Sequence, residues 1–157
     1  MKMIVSMCRN RGIGFNQIIP GLHPTELNIF KSLIVGKGNN TVIWGKNAFL
    51  RNPSFKNCTN IMLSSSTKYN NPFTNTYTVS HLDQINMEKF DDVWIVGGAS
   101  VFKHCLNSSV LKEIHILENN RDFFCNVFLP ELPSSFKLAI QNKHVEKETT
   151  IYHKVYR

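Results

Sequence analysis

An α/β domain with a mainly parallel sheet and an antiparallel edge is what the sequence predicts. Three observations carry this. Short apolar runs alternate with helical patterns along the chain. In DDVWIVGGASVFKHCL, residues 91–106, an apolar run ends in Gly97-Gly98 and a helical pattern follows through Val101, Phe102, Cys105 and Leu106. The tail from Phe136 alternates in two halves around a charged stretch, the pattern of a closing antiparallel pair. A length of 157 residues fits one domain with a core of its own.

Taken in order, KMIVSMC (2–8) reads as a buried first strand. Arg9 and Arg11 interrupt the apolar start too soon for a secretory signal. Residues 25–35 read as a helix, with Pro24 just ahead and Thr25 as the expected N-cap. GKGNN (36–40) stops it. TVIWG (41–45) is a β-branched and aromatic run suited to a strand covered on both faces. A short helix is expected at 46–51. NIMLSSS (60–66) and TNTYTVS (74–80) read as strands, and 80–88 as a helix entered from Ser80. LKEIHILE (111–118) is a further strand.

The charge balance is +7, from 18 basic and 11 acidic residues, which suits an anionic partner. Those bases are scattered, with no run of five, so a dedicated nucleic-acid surface is not expected. No stretch is apolar for long enough to span a membrane. Cys8, Cys58, Cys105 and Cys125 show no metal-ligand spacing and read as free thiols of a reducing, cytoplasmic compartment. The six histidines lack metal-site spacing too, so no metal is expected. Trp44 and Trp94 fall inside apolar strand runs and read as core.

Glu26 is the sharpest candidate. It shares a helix face with Phe30 and Leu33, where burial raises a carboxylate's pKa toward neutrality. Such a group can hold a proton-donating heterocycle or manage a proton. The rival account is an acid in the first helical turn that faces water and stabilises the helix dipole. Gly97-Gly98 allows close backbone approach to a ligand, with helix N–H groups for phosphate; otherwise it is a tight turn. Lys46, the hydroxyls of LSSS (63–66) and Lys68 fall at or near strand ends, where α/β sheets bind ligands.

Together GIGFNQIIPGLHPTELNIFK, TVIWGK, NIMLSSS, VWIVGGASVF and NVFLP, in this order, resemble the dihydrofolate reductase family. The resemblance implies a central eight-stranded sheet with about four flanking helices. It also implies hydride transfer from NADPH to dihydrofolate, serving one-carbon metabolism and thymidylate synthesis. Glu26 falls on the acid that grips the pterin ring. Ile4, Val5, Leu27, Phe30, Phe55, Val96 and Phe102 fall on the apolar walls. Residues 14–20 fall on the loop that closes over the nicotinamide. The resemblance assigns the cofactor side to Ser6, Ile13, Gly14 and Ile19, then Gly45, Lys46, Asn47 and Ala48. It adds Ser64 and Ser65, and the run Gly97, Gly98, Ala99, Ser100, Val101 and Phe102. Lys46, Ser64 and Ser65 fall where the 2′-phosphate is read, which implies NADPH rather than NADH.

Four departures from the family pattern stand out. Gly21 replaces a tryptophan, and Ala48 replaces a threonine. Cys58 replaces the arginine that grips the glutamate tail, with Lys56 or Arg51 as partial substitutes; losing that contact costs on the order of 1.5–3 kcal/mol. Ile116 or Leu117 replaces the threonine that supports the acid. These changes leave two alternatives open. One is a same-fold reductase of a tailless pterin or pyrimidine, and the other is a non-catalytic binding protein. No extended apolar interface is visible, so a monomer is expected.

Overall fold

A computed structural model describes residues 1–51, 55–65 and 76–157. Ser66, Lys68 and residues 74 and 75 of the expected strand lie outside the described residues.

The first strand, β1 (Lys2–Cys8), runs through the middle of the sheet. Met3, Val5 and Met7 enter one apolar cluster and Ile4 enters another. Alternate residues of one strand thus feed two cores on opposite faces, as the two-fold side-chain period requires. The helix α1 (Pro24–Val35) contributes Ile34 to the Ile4 cluster. On the other face, α3 (Ala99–Cys105) contributes Val101, Phe102 and Cys105. Between them lie β2 (Gly12–Gly14), β3 (Thr41–Gly45), the single turn α2 (Lys46–Phe49), β4 (Thr59–Leu63), β5 (Thr76–Val79) and β6 (Val93–Gly97). After α3 come β7 (Glu113–Asn119), β8 (Val127–Phe128), β9 (Leu138–Glu146) and β10 (Thr149–Tyr156).

The eight-stranded sheet has the order β5-β4-β3-β6-β1-β7-β10-β9. All pairings from β5 to β7 are parallel, and β10 pairs antiparallel with both β7 and β9. This is the expected sheet with its antiparallel edge. The first strand and TVIWG keep the bounds read from the sequence. A second, two-stranded sheet of β2 and β8 was not foreseen, because two such short strands have no periodicity to read.

Two expectations are corrected. The N-cap of α1 is His23, not Thr25: its Nδ1 accepts from the Thr25 backbone N–H at 3.3 Å, and Pro24 takes the first helical position. The helix expected over 80–88 is two 3-10 turns, Leu82–Gln84 and Met87–Lys89, so the described residues hold three α-helices rather than about four. Asn86 breaks the run by capping the second turn, its side chain accepting from the Glu88 N–H at 3.1 Å. Among the described residues, no helix is long and apolar enough to cross a membrane.

Candidate active site

The parallel strands β3, β4 and β6 end side by side and open onto a cavity of about 1100 Å³. Its base is β1, through Ile4, Val5 and Ser6. Leu27 and Phe30 of α1 form one wall with Phe55 and Val96. Trp44 stacks on Phe55 at 5.8 Å between ring centroids, and Phe30 meets Phe55 at 6.1 Å. Strand β2 supplies Ile13 and Gly14, and the loop after it Ile19. Gly45, Lys46, Asn47 and Ala48 line the end of β3, and Ser64 and Ser65 the end of β4. Gly97, Gly98, Ala99, Ser100, Val101 and Phe102 complete the lining from β6 into α3.

Glycine is required at two of these positions. A Cβ on Gly45 would meet Val101 Cγ2 at 2.8 Å and the Gly98 nitrogen at 3.2 Å. Gly97 takes φ +116°, a region that disfavours any side chain. The β3–β6 register also shifts here, Ile43 pairing with Ile95 and Trp44 with Gly97. Such an irregularity re-aims the chain at a strand end.

Glu26 is 2% exposed, so the water-facing account of this acid fails. Its carboxylate accepts from the His23 backbone N–H at 3.0 Å, closing a capping box with His23. Burial pushes its pKa up, while hydrogen bonds from the His23 backbone and the Asn119 and Ser6 side chains pull the other way. Of the described residues that the resemblance assigns to the apolar walls, the cofactor side and the acid, Glu26 alone does not line the cavity. It lies one layer behind a surface to which Ser6, Leu27 and Phe30 belong.

The sequence departures have structural answers. Gly21 takes φ +66°, and a Cβ there would come within 2.2 Å of the Phe123 ring. Phe123 thus fills the space beside Gly21. Ile116 and Leu117 are buried and apolar, while the polar side chains that hold the acid's pKa down are Asn119 and Ser6. Asn119 was missed although it shares a strand face with Leu117, because one polar residue at a strand end reads as a turn. Cys58 is buried with its thiol toward the Ile34 carbonyl at 3.6 Å. Lys31, Arg51 and Lys56 line the cavity. The sequence reading offered the last two as substitutes and did not include Lys31 or Trp44.

Asn60 organises the wall. Its Oδ1 accepts from Trp44 Nε1 at 3.3 Å and from the Phe55 N–H at 3.2 Å. Its Nδ2 donates to the carbonyls of Phe55 at 2.8 Å and Cys58 at 3.1 Å.

An apolar cleft at the carboxyl ends of parallel strands, lined also by lysine and serine residues and with a carboxyl group behind its wall, defines the class: an α/β domain with a small-molecule site at its strand ends. The chain belongs to the dihydrofolate reductase family, whose model matches residues 1–157. A dihydrofolate reductase of Aedes albopictus is 28% identical over 93% of this chain and 87% of its own length. The viral dihydrofolate reductase of Saimiriine herpesvirus 2 is 28% identical over 95% of this chain and 78% of its own. The fold matches dihydrofolate reductase from Enterococcus faecalis, solved with NADP(H) and RAB-propyl, with a TM-score of 0.84 at 20% identity, over 99% of this chain and 94% of that one.

Proposed function

We propose that the protein reduces 7,8-dihydrofolate to tetrahydrofolate with NADPH, and that Glu26 is the acid that recognises the pterin ring. The observation that carries this is a carboxylate held at 2% exposure behind the apolar wall of a family-typical cleft.

The residues present suit the dinucleotide. Gly98 lines the cavity, and a Cβ there would meet no neighbour nearer than Ala48 Cβ at 3.9 Å, so a side chain would fill space a ligand needs. Lys46 and Ser65 line it too and offer a cation and a hydroxyl for a 2′-phosphate. The cofactor, when bound, supplies the hydride. The chain's own contribution is orientation and proton management. Ile4, Val5, Phe30 and Phe55 would sandwich a flat ring and exclude water. Glu26 would accept from the ring's amidine-like N–H pair; its oxygens retain lone pairs beyond the one used by His23. Its pKa, raised by burial, would let it hold a proton more readily than an exposed carboxylate and so support protonation of the ring at N5. Lys31, Arg51 and Lys56 would meet the carboxylates of the glutamate tail in place of the family's arginine. A cytoplasmic monomer fits this reading.

Steady-state loss of NADPH absorbance with dihydrofolate tests it. Turnover is expected, and Glu26→Gln should lower kcat/KM by on the order of 10²–10⁴. Equal rates for parent and variant would remove the role of Glu26. No oxidation of NADPH by the parent would remove the activity.

A further inference from the structure

Two of the four cysteines meet where β1 ends. The Cys8 and Cys125 sulfurs lie 3.9 Å apart although 117 positions separate them in the chain. Cys8, the last residue of β1, is 2% exposed, and its thiol also lies 3.9 Å from the Pro20 carbonyl. Cys125, just ahead of β8, is only half-buried. Backbone hydrogen bonds frame the pair on both sides. The Arg9 N–H donates to the Arg121 carbonyl at 3.1 Å, and the Leu129 N–H to the Arg11 carbonyl at 3.0 Å. A Cβ on Gly12 would collide with the Cys125 sulfur, so the glycine gives that thiol its place. The other two thiols, Cys58 and Cys105, are buried in the two apolar cores.

We propose that Cys8 and Cys125 form a dithiol that low-molecular-weight disulfides oxidise to an intramolecular disulfide. This goes beyond the reductase reading and does not depend on it. Cys125 reacts first, because solvent reaches it; Cys8 is enclosed, and burial and the neighbouring Cys125 push its thiol up to about 12. The Cys125 thiolate attacks one sulfur of the small disulfide, whose S–S bond breaks, and the first small thiol leaves with the proton Cys125 gave up. Cys8 then attacks the Cys125 sulfur, and its proton goes to the second small thiol. Two protein thiols are oxidised, and one small disulfide is reduced to two thiols. Capping Cys125 also removes its hold on the Cys8 proton. Closing to a disulfide's length of about 2.05 Å falls to Cys125, which sits between strands rather than within one. Its neighbour Asn126 anchors the loop after β2. The Asn126 N–H donates to the Gly14 carbonyl at 3.0 Å, its Oδ1 accepts from the Asn16 N–H at 3.3 Å, and its Nδ2 donates to Asn16 Oδ1 at 3.1 Å. The new bond therefore ties the end of β1 to the segment that holds this loop.

The test uses the whole protein in glutathione buffers stepped from reduced to oxidised, quenched with acid, alkylated and digested for mass spectrometry. A peptide pair linked through Cys8 and Cys125, lighter by two hydrogens, should appear, and thiols titrated in denaturant should fall by two from four. Dithiothreitol should restore them. Cys8→Ala should stop at a glutathione adduct on Cys125, and Cys125→Ser should form no link. Amide exchange at Gly14 and Asn16 should slow several-fold in the oxidised protein; unchanged exchange would remove the tie to the loop. A parent that stops at the Cys125 adduct, links any other pair, or keeps all its thiols at the oxidised end overturns the proposal. The parent alone gives that reading, so it stands even where a variant does not fold. The mass reading is independent of dihydrofolate turnover, so the two ideas fail separately.

Discussion

Glu26 performs two jobs that usually conflict. As the third residue of α1 it closes a capping box, and as a buried carboxylate it is costly. Its folded-state pKa lies above the ordinary value of 4.5, so the native state binds more protons than the unfolded one as pH rises past that value. Stability from this site is therefore lost as pH increases through the window. Glu26→Gln keeps an acceptor for His23 and removes the charge. It should melt higher than the parent near neutral pH, with the gap closing toward about pH 4.5. A lower melting temperature at neutral pH would contradict the assignment. Gly21 supplies a second prediction at this scale. Its positive φ and the Phe123 ring leave no room for a side chain, so Gly21→Trp should destabilise by about 2 kcal/mol or more in urea unfolding rather than restore a family feature. The position of Glu26 was legible because an acid interrupts an apolar helix face. Phe123 and Asn119 were not, since each acts on a residue far away in sequence.

Elements were legible where period and length agreed. β1 and β3 have continuous apolar runs of strand length and appear with the expected bounds. The stretch after Ser80 has helical spacing, but Asn86 caps a fresh turn inside it. Asn60, unremarkable in sequence, holds the Phe55 segment by both its N–H and its carbonyl. Asn60→Leu would leave buried partners of Trp44, Phe55 and Cys58 unsatisfied, at about 1–3 kcal/mol each. A melting temperature within a degree or so of the parent would refute that role. On β7 and β10, Glu113 meets His115 Nε2 at 2.6 Å, and His115 Nδ1 meets His153 Nε2 at 2.8 Å. A carboxylate accepts, so His115 carries its proton on Nε2 and His153 donates to Nδ1. Burial, then the charges of His115 and His144, lower the His153 pKa from 6.5 to about 4. Between those values the unfolded chain binds more protons, so stability should fall as pH drops from about 6.5 toward 4. His153→Gln should flatten that fall in urea titrations; an unchanged slope would exclude the pair as its source.

At the scale of the whole molecule, the order of parallel strands places the site. Crossing from β3 to β6 to β1 brings together segments far apart in the chain, so Gly45, Gly97 and Val5 line one cavity. The sequence carried this through order and motif; cavity depth and the layer occupied by Glu26 depend on packing, which no single segment encodes. The scattered positive charge also finds a use, with Lys31, Lys46, Arg51 and Lys56 lining the cavity for anionic ligands. The central claim is that a carboxylate lying behind the wall reaches the ring of the substrate. A crystal structure with NADP(H) and a folate analogue bound tests it most directly. A Glu26 oxygen should lie about 3 Å from ring N–H groups. A ring seated elsewhere in the cavity, with Glu26 still bonded only to its own helix start and its protein neighbours, would contradict the account.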